Sequence, residues 1–77
     1  GTLTVTGDGG DDNIYAYGET DPGQVRLLIN GGDYGIFEGV KNIVFNGGGG
    51  DDDLEVWDVQ IGGNVTLNGG AGNDYLA

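Results

Sequence analysis

The only side chains here that could do chemistry in numbers are carboxylates. Thirteen aspartates and glutamates face Arg26 and Lys41 alone, for a formal charge of −11. There is no histidine, no cysteine and no serine among the 77 residues. The usual zinc ligands, the usual general base and the usual hydroxyl nucleophile are therefore all missing. What remains is oxygen, from carboxylates and from the main chain, and oxygen suits hard cations.

The aspartates are not scattered. Seven of the ten gather in three phrases: GDGGDDNIY at residues 7–15, GGGGDDDLE at 47–55 and GGAGNDYLA at 69–77. The fourth place is always glycine (Gly10, Gly50, Gly72) and the sixth always aspartate (Asp12, Asp52, Asp74). The fifth is Asp11, Asp51 or Asn73, and the eighth is aliphatic: Ile14, Leu54 or Leu76. Glycine permits positive φ, so that successive carbonyls can be turned toward one point. The sixth-place aspartate adds a charged oxygen, and the eighth-place aliphatic anchors the strand that follows. Such a turn suits calcium, which takes about six to eight oxygens in flexible geometry, better than magnesium, which demands a tight octahedron. One turn cannot supply enough ligands, but two stacked turns can, with the ion between them.

A single glycine-aspartate turn would read as an ordinary solvated turn. Three copies at one spacing argue otherwise. An EF-hand does not fit: counted from Asp51, position six is Val56 and position twelve is Gly62, where glycine and glutamate are required. A phosphate loop does not fit either, because no lysine follows the glycines. The acidity disfavours nucleic acid and anionic membrane surfaces as partners, and no apolar run is long enough for membrane insertion by a helix. The chain begins Gly1-Thr2, as a mature piece would, so the lack of a secretory leader does not argue for the cytosol.

The elements that must carry these turns show an internal repeat. Leu3-Thr4-Val5-Thr6-Gly7, Leu27-Leu28-Ile29-Asn30-Gly31, Ile43-Val44-Phe45-Asn46-Gly47 and Val65-Thr66-Leu67-Asn68-Gly69 share one pattern of alternating apolar residues closed by glycine. Each reads as a strand with one buried face. The closing glycines lie 24, 16 and 22 residues apart. A second strand follows each turn, with Ile14, Ala16, Leu54, Val56 and Leu76 inward and Tyr15, Tyr17, Glu55 and Trp57 outward. Segments 18–23 and 58–63 read as far-side turns. The expectation is all-β: a right-handed parallel β-solenoid (β-roll or β-helix) of about four coils, with the glycine-aspartate turns stacked on one side. Residues 1–77 would form a single module, a part of a longer array or an assembly.

The three phrases resemble the nonapeptide of hemolysin-type (RTX) calcium-binding repeats, G-G-x-G-x-D-x-U-x. Residues 47–55 and 69–77 match every fixed place, while residues 7–15 carry Asp8 where the second glycine belongs. Repeats here are spread over coils of about 20 residues instead of following every nine, like a looser, long-coil version of the family. The resemblance implies Ca2+ as the cofactor and a structural role in a secreted or cell-surface bacterial protein that folds or rigidifies on binding calcium. It carries over as metal ligands Asp12, Asp52 and Asp74, with Gly7, Gly9, Asp11, Gly47, Gly49, Asp51, Gly69, Ala71 and Asn73 around them. Asp33, beside the degenerate turn 31–35, is expected to substitute there. The firmest site is expected between turns 47–52 and 69–74.

A different reading is a self-assembling fibre subunit. The chain opens and closes directly on strands without polar caps, so its partners would be further copies stacked head to tail, or neighbouring repeats. A third is a glycan-binding surface built from Trp57 and the tyrosines, although such residues more often form cross-strand pairs. An enzyme is not expected.

Overall fold

The dipeptide Asn30-Gly31 decides the architecture. Both residues take positive φ, 49° and 82°. That is the two-residue turn whose twist suits an antiparallel hairpin, and Asn-Gly is its favoured sequence. The computed structural model describes residues 1–76, in eight strands without helix: β1 (Thr2–Thr6), β2 (Asn13–Gly18), β3 (Val25–Ile29), β4 (Gly32–Phe37), β5 (Asn42–Asn46), β6 (Asp53–Trp57), β7 (Val65–Asn68) and β8 (Tyr75–Leu76).

They form two sheets. One is three-stranded and parallel, in the order β1-β5-β7; the other is five-stranded and mixed, in the order β4-β3-β2-β6-β8. In the first, Leu3 pairs with Ile43 and Val5 with Phe45, then Ile43 with Val65 and Phe45 with Leu67. In the second, Ile14 pairs with Leu54 and Leu54 with Leu76, also in parallel. Three strand–turn–strand units are thus in register across both sheets, and each aspartate turn crosses from the first sheet to the second.

The expected four-coil parallel β-solenoid, or β-roll, is not what forms. The 27–31 segment belongs to β3, which runs antiparallel to β2 (Ile14 opposite Ile29) and continues through Asn30-Gly31 into β4. The physical reason is local. Asn30 adopts positive φ and turns the chain back within two residues, where a crossing turn needs about six. The inward pattern of that segment nevertheless holds, since Leu27 is buried and Ile29 packs, partly buried, against the core. β4 forms an outer edge broken by a register shift opposite Arg26–Leu28, with Gly35 at φ 85°. A bulge of this kind blunts an edge strand against further pairing.

The core lies between the sheets: Ile14, Ala16, Val25, Leu27, Val40, Ile43, Phe45 and Leu54. It thins toward β7 and β8. Ile43 and Leu54 are fully buried, whereas their partners one unit on, Val65 and Leu76, are 41% and 45% exposed. Leu76, expected inward, is thus only partly covered. No helix among the described residues is long and apolar enough to cross a membrane.

Candidate metal centre

The first-place glycines make room for the sixth-place carboxylates. A Cβ built on Gly7 would lie 2.5 Å from Asp12 Oδ2 and 2.6 Å from the Gly47 carbonyl oxygen. On Gly47 it would lie 2.5 Å from Asp52 Oδ2 and 2.8 Å from the Gly69 carbonyl oxygen, and on Gly69 2.5 Å from Asp74 Oδ2. Each gap between successive turns thus brings a carboxylate oxygen of one turn close to a main-chain oxygen of the next. Glycine is required because any side chain would evict them.

Hydrogen bonds hold those carboxylates in place. The Asp12 amide donates to Asp52 Oδ1 and the Asp52 amide to Asp74 Oδ1, both at 2.9 Å. The fifth-place side chains run the other way. The Asp51 amide donates to Asp11 Oδ1 at 2.7 Å, and the Asn73 amide to Asp51 Oδ1 at 2.8 Å. The two ladders together pin the turns in both directions.

The sixth-place ladder occupies Oδ1 of Asp52 and Asp74, an asparagine side chain, Asn30 Nδ2, occupies Oδ1 of Asp12, and Oδ2 of each is left over. Asp12 and Asp52 are 5% and 2% exposed, and Oδ2 of each is buried without a hydrogen-bond partner. A buried polar oxygen left unpaired is costly, and a buried charge more so. Burial accordingly pushes the Asp52 carboxyl above the usual aspartate range; the neighbouring Asp74 and Asp12 carboxylates push the same way, against the Asp12 amide, which favours the charged form. Such an oxygen asks for a cation or a proton. Among the described residues no three acidic side chains converge on one point, so an ion held here would draw most of its ligands from turn carbonyls.

The turns differ in backbone. Gly48, Gly50, Gly70 and Gly72 all take positive φ, between 80° and 100°. Asp8 and Gly10, in the same places of the first turn, do not. A side chain at the second place makes that conformation costly, and Asp8 Oδ1 instead accepts the Gly10 amide at 2.8 Å. Turns 47–52 and 69–74 are therefore matched, as their sequences imply, whereas the more deeply buried carboxylate pair is Asp12 with Asp52. Asp74 is half-buried. Asp11, Asp51 and Asn73 lie on the exposed side of the turns, Gly9 and Ala71 at their exposed tips. The Gly49 main chain stacks on that of Gly9, a Cβ on Gly49 coming 3.6 Å from the Gly9 oxygen.

Asp33 is placed elsewhere. It sits on β4, where its Oδ2 pairs with Arg26 Nη1 at 2.8 Å and its Oδ1 accepts the Gly35 amide. That amide, with Arg26, holds the Asp33 carboxyl below its ordinary range. Asn30 is a residue beside the candidate site that the repeat pattern hid. Its Nδ2 donates to Asp12 Oδ1 at 3.2 Å, and its Oδ1 accepts the Asn13 amide at 2.8 Å. The signal for it was the Asn-Gly pair between two strand-like runs. On the outer face Tyr15 Oη donates to Asp53 Oδ2, and Trp57 Nε1 donates to Glu55 Oε1.

No family model matches the chain, and no curated protein and no solved structure matches it.

Proposed function

We propose that this chain is a structural module stabilised by calcium held between its aspartate turns, of the kind the resemblance to hemolysin-type repeats implies. One observation carries the reading. Asp12 and Asp52 are buried side by side, and each has an unpaired Oδ2 close to a glycine carbonyl of the adjoining turn. Two such carboxylates cost folding free energy when bare and return it when a divalent cation neutralises them.

Asp12 and Asp52 would hold an ion in the upper gap with the carbonyls of Gly7 and Gly47. Asp52 and Asp74 would do so in the lower gap with those of Gly47 and Gly69. Calcium, when bound, supplies positive charge and oxygen coordination, while the glycines aim the carbonyls and the amide ladders fix the carboxylates. Calcium modules outside the cell bind at about 10⁻⁴–10⁻³ M, which fits a secreted or surface protein that meets its ion only after export.

Thermal unfolding followed by circular dichroism, in chelator and in millimolar calcium, tests the proposal. The melting temperature rises with calcium and much less with magnesium. Identical melting curves in chelator and in calcium overturn it.

A further inference from the structure

The outer face of the five-stranded sheet carries chemistry that the aspartate turns do not use. Ile14, Ala16 and Leu54 are sealed in the core, so the residues that alternate with them on β2 and β6 point outward. In register there, Tyr15 lies beside Glu55 and Tyr17 beside Trp57, and Asp53 precedes Glu55 on the same face of β6. Each carboxylate is fixed by an aromatic side chain. Tyr15 Oη donates to Asp53 Oδ2 at 3.1 Å, and Trp57 Nε1 donates to Glu55 Oε1 at 2.9 Å. The second bond sets Glu55 at the edge of an indole that is 47% exposed, next to Tyr17, which is 38% exposed.

What this face lacks is positive charge. Both salt bridges among the described residues belong to Arg26, which spends its guanidinium on Glu19 and Asp33. Lys41 stands before β5, in the other sheet. Asp53 Oδ1 is buried without a partner, and Glu55 accepts from Trp57 alone among the described residues. Two carboxylates this close repel each other, and no cation offsets them.

We propose that Glu55, with Trp57 and Tyr17, binds an arginine side chain of a basic partner protein. A guanidinium is planar, so it stacks on an exposed indole while its N–H fork turns to the carboxylate at the ring's edge. A lysine ammonium is a point charge without that fork. A sugar stacks on such rings but brings no charge to the carboxylate pair. The net charge of −11 draws a basic partner from a distance. Both strands are internal to their sheet and the contacts contain no metal, so the inference stands apart from the calcium reading.

Trp57 is the chain's one tryptophan, so its fluorescence reads the site directly. The full chain in millimolar calcium is titrated with acetyl-Gly-Arg-Gly-amide and with its citrulline counterpart, a neutral urea of the same shape. The arginine peptide gives a saturable change. The citrulline peptide binds about tenfold more weakly or worse, as loss of a charge-assisted hydrogen bond gives. Glu55→Gln keeps an acceptor for Trp57 Nε1 and removes the charge, and it should weaken the arginine peptide about tenfold with the fold intact by circular dichroism. Glu38→Gln, which removes an exposed charge elsewhere, should leave binding unchanged. Equal affinity for the two peptides overturns the proposal. So do equal losses in Glu55→Gln and Glu38→Gln, since binding is then diffuse attraction to an acidic surface. Cellobiose binding more tightly than the arginine peptide overturns it in favour of a glycan surface. A melting temperature indifferent to calcium leaves these titrations unchanged, so failure of the calcium reading is seen separately.

Discussion

The gap between turns 7–12 and 47–52 and the gap between turns 47–52 and 69–74 are built from nearly the same phrase, yet they differ in what they demand. The lower gap has matched backbones, with glycines at positive φ in both turns. The upper has an irregular first turn, but both of its carboxylates are buried; the unpaired Oδ2 of Asp12 lies in it near the Gly47 carbonyl, and that of Asp52 faces the Gly69 carbonyl across the lower gap. The difference comes from what lies above each gap. The upper one is roofed by Asn30 and the β3–β4 hairpin; among the described residues the lower one is closed by the unit of β7 and β8. Agreement with a repeat phrase thus measures how well carbonyls are aimed, while enclosure measures how badly a carboxylate needs a cation. The two properties come from different parts of the chain.

Gly47 belongs to both gaps, and its replacement should break them together. Gly47→Ala sets a methyl group 2.5 Å from Asp52 Oδ2 and 2.8 Å from the Gly69 oxygen. A loss of about 1–3 kcal/mol is expected in calcium, by chemical unfolding, as for other overpacked sites. Gly62→Ala, with nothing within 4 Å of the added carbon, serves as the control and should change stability by less than about 0.5 kcal/mol.

Asparagine at the sixth places separates the gaps. At calcium tenfold above the dissociation constant, one site contributes about 1.4 kcal/mol. Asp12→Asn should remove the response of the upper gap, Asp74→Asn that of the lower, and Asp52→Asn both. Calcium titrations followed by melting temperature give the order. An Asp74→Asn effect larger than that of Asp12→Asn would reverse the ranking by enclosure.

The pH dependence carries the same distinction. The Asp52 carboxyl is raised in the folded chain, chiefly by burial. Its contribution to metal-free stability is therefore full below the ordinary aspartate range and is lost as pH rises through its elevated value. In chelator the melting temperature should climb on acidification from neutrality into the carboxylate range. In calcium the trend should weaken or invert, because protons then compete with the ion.

Asn30→Ala tests the roof. It deletes two side-chain hydrogen bonds and places a poorer residue at positive φ, for a loss of about 1 kcal/mol in equilibrium unfolding. The smallest effect lies outside both gaps. Glu55 is raised, first by the neighbouring Asp53 carboxyl, and Trp57 donates to it. Trp57 fluorescence should report a titration above the ordinary glutamate range, with a midpoint that calcium does not move.

Much of this was legible in the residues. Alternation in 3–5, 43–45 and 65–67 placed three strands correctly, and the glycine-aspartate spacing placed the turns that cross between sheets. Ile14, Ala16 and Leu54 were rightly read as inward. Two things were not legible. Leu27-Leu28-Ile29-Asn30-Gly31 has the same alternation as the other strands, and alternation gives the buried face of a strand but not its direction or partner. Only the positive φ accepted by Asn30 turned it into a hairpin. The depth of Asp12 was also hidden, because it depends on a segment 18 residues away in sequence.

The far-side connections have a consequence of their own. Residues 19–41 join β2 to β5, and only residues 58–64 join β6 to β7, yet both routes deliver the next strand into parallel register. Closing the longer path costs only about 1 kcal/mol more by chain statistics. The aspartate turns keep one length in every unit, whereas the far-side connections differ in length and content and still reach the same register. The hairpin lies within the longer of them, and a foreign loop or small domain grafted between residues 58 and 64 should leave the aspartate turns aligned.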